Sequence, residues 1–399
     1  MKIKVPKDIS KYCLVLGIGL GLSILFQAYW LGMDGPHIRQ GGSAARFLMK
    51  VTAFFLVYAG LYRSLSVSVF AYNLALKIPL LYYFATVVAV FPYIYNDMYS
   101  QALNLAFFIP LLFVNFTERD GLDTFRFMIN VIVCVVIAQV FVDLAIKFAG
   151  LQIFGTLLGG MGNANTFGLY LIVSSLACRF IYFRENVSRF FLLLVPLTGS
   201  LACSVIAFMF LLHSFLVTFK LKKIPVAFLG LAGIGLLIFN LWDSIYQVNN
   251  SVWHAHMKFL ALIDYALNEQ SVGSASISIR EQYTKQGLLL LSENPLALVF
   301  GHPDFLPFYT GDGFYIALLV TVGFPITFLF VVCNVIAIYR GLREGQPLSI
   351  FSAYVVLTFL ILFVANRILD YWPSSLIYVL TFAFLVRKRS SNGVIVRDR

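Results

Sequence analysis

Apolar runs long enough to cross the ~30 Å hydrocarbon core of a bilayer recur along most of this chain, and no other feature constrains its fold as much. They fall at Tyr12–Leu31 and at about 46–62, 69–91, 98–116, 125–149, 165–183, 224–241, 314–339, 348–366 and 372–386. Only 12% of the 399 residues are charged and 60% are hydrophobic, against about 25% charged in ordinary soluble domains. The reading is an all-α polytopic membrane protein. No interval outside residues 242–312 is polar enough to form a separate soluble domain.

Between Arg189 and Lys220 lies an apolar stretch of another kind, with Pro196-Leu-Thr-Gly-Ser200 in its middle. Its flanks are both basic, with Arg179, Arg184 and Arg189 before it and Lys220, Lys222 and Lys223 after it. Placing both flanks in the cytoplasm, as basic loops require, makes residues 190–219 a hairpin of two short spans turning near Thr198-Gly199. That gives about twelve spans. The basic start MKIKVPKDISK, the Arg340/Arg343 loop and the tail Arg387-Lys388-Arg389 then all fall inside. The expected organisation is spans 1–9 in residues 1–241, an outer loop over 242–312, three spans in 313–386 and a cytoplasmic tail over 387–399. The run after the amino terminus has no A-x-A-like cleavage site and reads as a retained first span. A net charge of +11 would point to nucleic acid in a soluble protein; here it marks the cytoplasmic side of a membrane instead. Arg39, Lys258, Arg280, Lys285 and Arg367 fall on the outer side as exceptions to the rule.

The five cysteines all lie in apolar runs and read as small buried hydrophobes. No phosphate-binding loop, dinucleotide fingerprint, metal-ligand spacing or carboxylate cluster is present, so neither a cofactor nor a metal is expected. An enzyme built this way would need a donor that is already activated.

The long polar interval carries most of the candidate chemistry. Ser278 and Glu281 have capping-box spacing, which predicts a helix starting at Ile279, stopped by Pro295, with Arg280 in its first turn. A guanidinium beside helix-end N–H groups suits a phosphate or pyrophosphate; an exposed helix residue is the plain alternative. His302, Asp304 and Asp312 follow in a Gly/Pro-punctuated stretch. Asp312 is placed to cap the span that opens at Gly313, and a cap at a membrane mouth can also face a substrate. His302 is either a general base or a solvated loop histidine. Asn163 and Asn165 open the span at about 165, and capping accounts for one of them. Arg367, between Asn366 and Asp370, is either interfacial or helps hold an anion. His254 and His256 stay loop residues, Asp143 and Lys147 read as an i,i+4 ion pair, and His213 as an interior, hydrogen-bonded residue.

Several of these pieces, in this order, resemble the O-antigen polymerases and ligases of bacterial envelopes. Asn163-Ala-Asn165 is similar to an Asn-Pro-Asn pattern in many members, and Leu197-Thr-Gly-Ser200 sits at the tip of a like hairpin. The run from Arg280 through Asn294-Pro-Leu296 to Gly301 is similar to the family's stretch of arginine, helix, Asn-Pro-Leu and glycine. Asp312-Gly-Phe-Tyr-Ile followed by Val322-Gly-Phe is similar to its polar motif, span and glycine. The likeness covers residues 160 to 340. Leu201 stands where members often carry an arginine, so that Lys258, Lys285 or Arg367 would have to substitute. Asp312 stands where ligases typically have a histidine, which favours the polymerase branch.

The resemblance implies a glycosyltransferase of the inner membrane, both termini cytoplasmic, that joins oligosaccharide units carried on undecaprenyl pyrophosphate at the periplasmic face. Arg280 would hold the pyrophosphate with Arg367 as helper, and Asp312 or His302 would orient or deprotonate the attacking hydroxyl. Asn163, Asn165, Lys285, Tyr283 and Tyr315 are candidate substrate contacts, and interfacial belts account for the aromatics equally well. Membrane lipid, a chain-length regulator and a flippase would be its partners. A ligase moving finished polymer to lipid A-core and a transporter of the lipid-linked unit are the alternatives.

Overall fold

The structure, a computed structural model, describes residues 10–25, 44–61, 87–99, 102, 104, 119–148, 163–218, 275–302 and 313–386. Among the described residues all regular structure is helical. Three helical segments there are long and apolar enough to cross a membrane: Gly121–Ala145, Phe324–Glu344 and Pro347–Val364. Shorter apolar helices occupy Tyr12–Ile24, Leu48–Leu61, Leu201–Ser214 and Trp372–Val386. The expected span at 224–241 and most of those at 69–91 and 98–116 lie outside the described residues, as do His254, His256, Lys258 and the basic tail.

The chain divides into two compact units, one of Met1–Gln27, Ile38–Val135 and Thr284–Arg399, the other of Ala28–His37 and Val136–Tyr283. In the first, α1 (Ser10–Leu25) packs along α2 (Ala44–Leu61). The long α3 (Arg119–Phe148) begins in this unit and ends in the second.

The second unit centres on α4 (Ala164–Phe180), buried on every face from Thr166 to Cys178. A helix apolar all round can only be a core helix or a span. Then α5 (Glu185–Leu194), a 3-10 turn Val195–Thr198 and α6 (Leu201–Thr218) form a hairpin. It reverses at Gly199, whose φ of 73° is open to glycine at little cost. At the basic flank Arg179 and Arg189 both pair with Glu185, at 3.5 and 3.8 Å. The Ser214 hydroxyl also donates to Glu185 and accepts from Arg189 Nε at 3.1 Å. His213, expected inside, is exposed next to buried Ser214, because a one-residue step turns it about 100° round the helix. Cys134 is likewise exposed, while the other four cysteines are buried.

The first unit's later part begins in α7 (Ala275–Glu293), which enters it at Thr284, and continues through α8 (Pro295–Phe300) and α9 (Phe314–Val322). Next come α10 (Phe324–Glu344), α11 (Pro347–Ala365), a 3-10 turn Ile368–Asp370 and α12 (Trp372–Val386). Helix α12 is buried along its whole length. On α10, Phe324, Phe328, Val335, Tyr339 and Leu342 are exposed along one stripe, and Phe330, Cys333, Asn334, Ala337 and Gly341 are buried along the opposite one. That division is the pattern of a span with a lipid face and a protein face. On the protein face the Tyr378 hydroxyl donates to Asn334 at 2.7 Å amid Phe330, Phe359, Phe363 and Phe382.

The expected single span 314–339 is broken. Gly323 interrupts it with φ 82° and ψ 171°, a backbone region essentially closed to other residues. The Phe314 ring lies 5.6 Å from the Phe330 ring, although a straight helix would separate positions sixteen apart by about 24 Å. Helix α9 therefore doubles back beside the first turns of α10. Of this run only α10 is long and apolar enough to cross a membrane, and α9 is a short helix folded against it.

Candidate functional site

Helix α7 starts earlier than the capping box predicts. Its first residue is Ala275, so Ser278 lies inside the helix and Arg280 is beyond the first turn. The end N–H groups expected beside the Arg280 guanidinium belong to Ala275 and its neighbours instead. The Arg280 side chain lies outside the described part of the structure. On the same helix Tyr283 is half-buried and Lys285 exposed. Pro295 does end α7, and with Asn294 as its N-cap residue it also opens α8, where its missing N–H costs nothing.

Helix α8 ends at Gly301, with φ 71° and ψ 177°. A Cβ added at Gly301 would collide with the backbone of Thr321 and Val322, and one at Gly323 with the Val299 carbonyl and the Gly301 nitrogen. Two glycines thus let two chain segments cross backbone against backbone. The half-buried His302 follows at once, its N–H donating to the Val320 carbonyl at 2.8 Å. Below the crossing Leu291, Ala297 and Val320 form a small core with Ile316 and Leu319. Position 302 is in this way fixed to the α9–α10 elbow. Asp304 and Asp312 lie outside the described residues. The N-cap of α9 is Gly313 rather than Asp312, since the extended φ −75°, ψ 109° residue that precedes the helix is the glycine. Tyr315 is engaged in packing, its hydroxyl donating to the Leu360 carbonyl at 3.0 Å and its ring edge-on to Phe363.

Arg367 is half-buried at the head of the 3-10 turn before α12. It donates from Nη2 to the Tyr93 hydroxyl at 3.0 Å, with its guanidinium 5.6 Å from the centre of the same ring. A cation over an aromatic face, gripped at the ring's polar end, is held in one orientation. The sequence reading passed over a second cation in this unit. Lys50, only 8% exposed within α2, donates to Asn104 at 2.9 Å and stands 5.8 Å from the Trp372 ring centre. The signal that could have found it is a lone lysine inside an apolar run, where charge is costly.

In the second unit the two asparagines have different tasks. Asn163 caps α4, its side chain accepting from the N–H groups of Asn165 and Thr166 at 2.8 and 3.2 Å. Asn165 accepts from the Ser200 hydroxyl at 2.5 Å, and its carbonyl from Cys203 at 3.4 Å. The Thr198 hydroxyl closes the hairpin tip by donating to the Val195 carbonyl at 2.8 Å. Also in this unit, Gln139 and Asp143 are fully buried one helical turn apart on α3; the expected partner Lys147 has its side chain outside the described part. Among the described residues no cluster of His, Cys, Asp or Glu could hold a metal ion. In comparisons with known proteins, no family model and no curated protein matches this chain.

Proposed function

We propose that the chain is a polytopic inner-membrane glycosyltransferase, an O-antigen polymerase that joins repeat units carried on undecaprenyl pyrophosphate at the periplasmic face. One observation carries the reading: the four motifs of the resemblance meet in pairs. Asn165 of the first bonds Ser200 of the second, and Gly301 of the third abuts Val322-Gly323 of the fourth. Each pair thus stands side by side within its own compact unit, as motifs that serve one site would.

In this reaction a sugar hydroxyl attacks the anomeric carbon of the growing chain and the bond to the pyrophosphate breaks, its electron pair leaving on the diphosphate. Asp312, or His302 at the elbow, takes the hydroxyl proton. The developing phosphate charge calls for fixed cations rather than a cofactor. The resemblance gives that role to Arg280, and Arg367, oriented by Tyr93, is a second candidate cation.

The gel profile of lipopolysaccharide from a strain lacking the gene tests the reading. Core bearing a single repeat unit is the expected result. Bare core with long polymer on the carrier lipid would reassign the chain as a ligase, and single units trapped on the cytoplasmic side as a flippase. In complementation, Arg280→Ala should reduce polymer by a factor of about 100 or more, the scale of losing one charge-stabilising group. Arg280→Lys should fail nearly as badly if bidentate contact is what matters. Normal chain length with lysine would remove the bidentate element alone.

A further inference from the structure

The interval expected to be a water-filled outer loop contains a segment whose surface is not built for water. From Gln286 to Gly301 the sole charged residue is Glu293. Leu288, Leu289, Leu296, Leu298, Val299 and Phe300 are all exposed, Leu296 at 69% and Phe300 at 76%. Leu291 and Ala297 supply the inward side of the same segment. Large apolar side chains contiguous on a surface mark an interaction face.

What covers this face follows from where it is attached. Gly323 lies against the Val299 carbonyl and the Gly301 nitrogen, so exposed Phe300 emerges beside the start of α10. There Phe324 and Phe328, stacked with ring centres 5.6 Å apart, begin the exposed stripe that continues through Val335 and Tyr339. The apolar face of the α7–α8 segment is therefore continuous with the outer face of a helix long and apolar enough to cross a bilayer. A partner protein would need a surface spanning both, whereas lipid meets both with one material. The exposed Ser292, Glu293 and Asn294 give the segment a polar corner suited to headgroups.

We propose that Leu288–Phe300 is an interfacial wedge whose apolar side chains contact the acyl chains of the bilayer leaflet at the α9–α10 elbow. The elbow glycines lock it there, so His302 is held at the hydrocarbon boundary instead of in free solution. The inference rests on the membrane reading and not on the particular glycan reaction.

Spin labels read by power saturation in lipid nanodiscs provide the test, using cysteines introduced one at a time at Leu296, Phe300, Glu293 and Val335 in a Cys134→Ser background whose four remaining cysteines are buried, with the background protein carried through labelling as the blank. All four positions are at the surface, so labelling disturbs no core. Labels at Leu296 and Phe300 should collide several-fold more with oxygen relative to a water-soluble nickel chelate than the label at Glu293, approaching the ratio at Val335. If Leu296 and Phe300 match Glu293 while Val335 remains in lipid, the wedge is overturned and the membrane reading stands. Nickel access at Val335 as well would overturn both.

Discussion

The hydrogen bond from Ser200 to Asn165 shows how a single side chain can hold a hairpin to a helix that is 35 positions away in sequence. Asn165→Ala leaves the cap made by Asn163 intact and removes that tie. Interhelical bonds in membrane proteins average about 0.6 kcal/mol and reach about 1.7, so a loss near 1 kcal/mol is expected. Asn163→Ala removes the cap itself, again about 1 kcal/mol, while Asn163→Asp should retain most of it. Melting in detergent checks both: each alanine variant should unfold a few degrees early, and an unchanged midpoint for Asn165→Ala would show that the bond contributes nothing. The same pair shows what a sequence discloses. That one of the two asparagines is a cap was legible because a cap's partners are two and three residues on, but which of them it is was not, and the role of Asn165 depends on a fold-dependent encounter. Lys50 and Tyr315 were opaque for the same reason, one meeting Asn104 and the other Leu360.

At the level of elements, hydropathy located α10 and α11, since those depend on composition over a window, and the basic flanks of residues 190–219 located the hairpin. It could not see that the run 314–339 is cut in two, because a glycine between valine and phenylalanine barely alters an average. The break has a measurable consequence. Gly345 has φ 66° with open space around it, and Gly323 has φ 82° with the backbone of Val299 and Gly301 in contact. Gly345→Ala should cost about 1–2 kcal/mol, the left-handed backbone penalty alone. Gly323→Ala adds a backbone collision in a region closed to alanine, and a total of about 3 kcal/mol or more is expected. Size-exclusion yield and melting temperature compare them: Gly345→Ala should purify as folded protein, Gly323→Ala in much lower amount. Equal behaviour of the two would mean that the elbow is not tightly packed.

For the molecule as a whole, charge sets the orientation, and orientation decides which cations an outer ligand can reach. Arg340 and Arg343 lie at the end of α10, and α11 runs from Pro347 to Ala365 before Arg367. Nineteen residues of helix cover about 28 Å, the thickness of the hydrocarbon core, so a crossing α11 puts Arg343 and Arg367 on opposite sides. On the proposed reading basic residues near span ends stay inside, which would put Arg343 and the tail from Arg387 in the cytoplasm and Arg367 on the outer face. A fluorescent protein fused after Arg399 should therefore mature and glow, and alkaline phosphatase fused after Gly273 should be active. The reverse pattern would turn Arg367 and the elbow at His302 toward the cytoplasm. An outer-face transfer from a lipid-linked diphosphate would then have neither its proposed cation nor its proposed base on the correct side, so this orientation is a condition the polymerase reading must meet before any residue-level test of it has meaning.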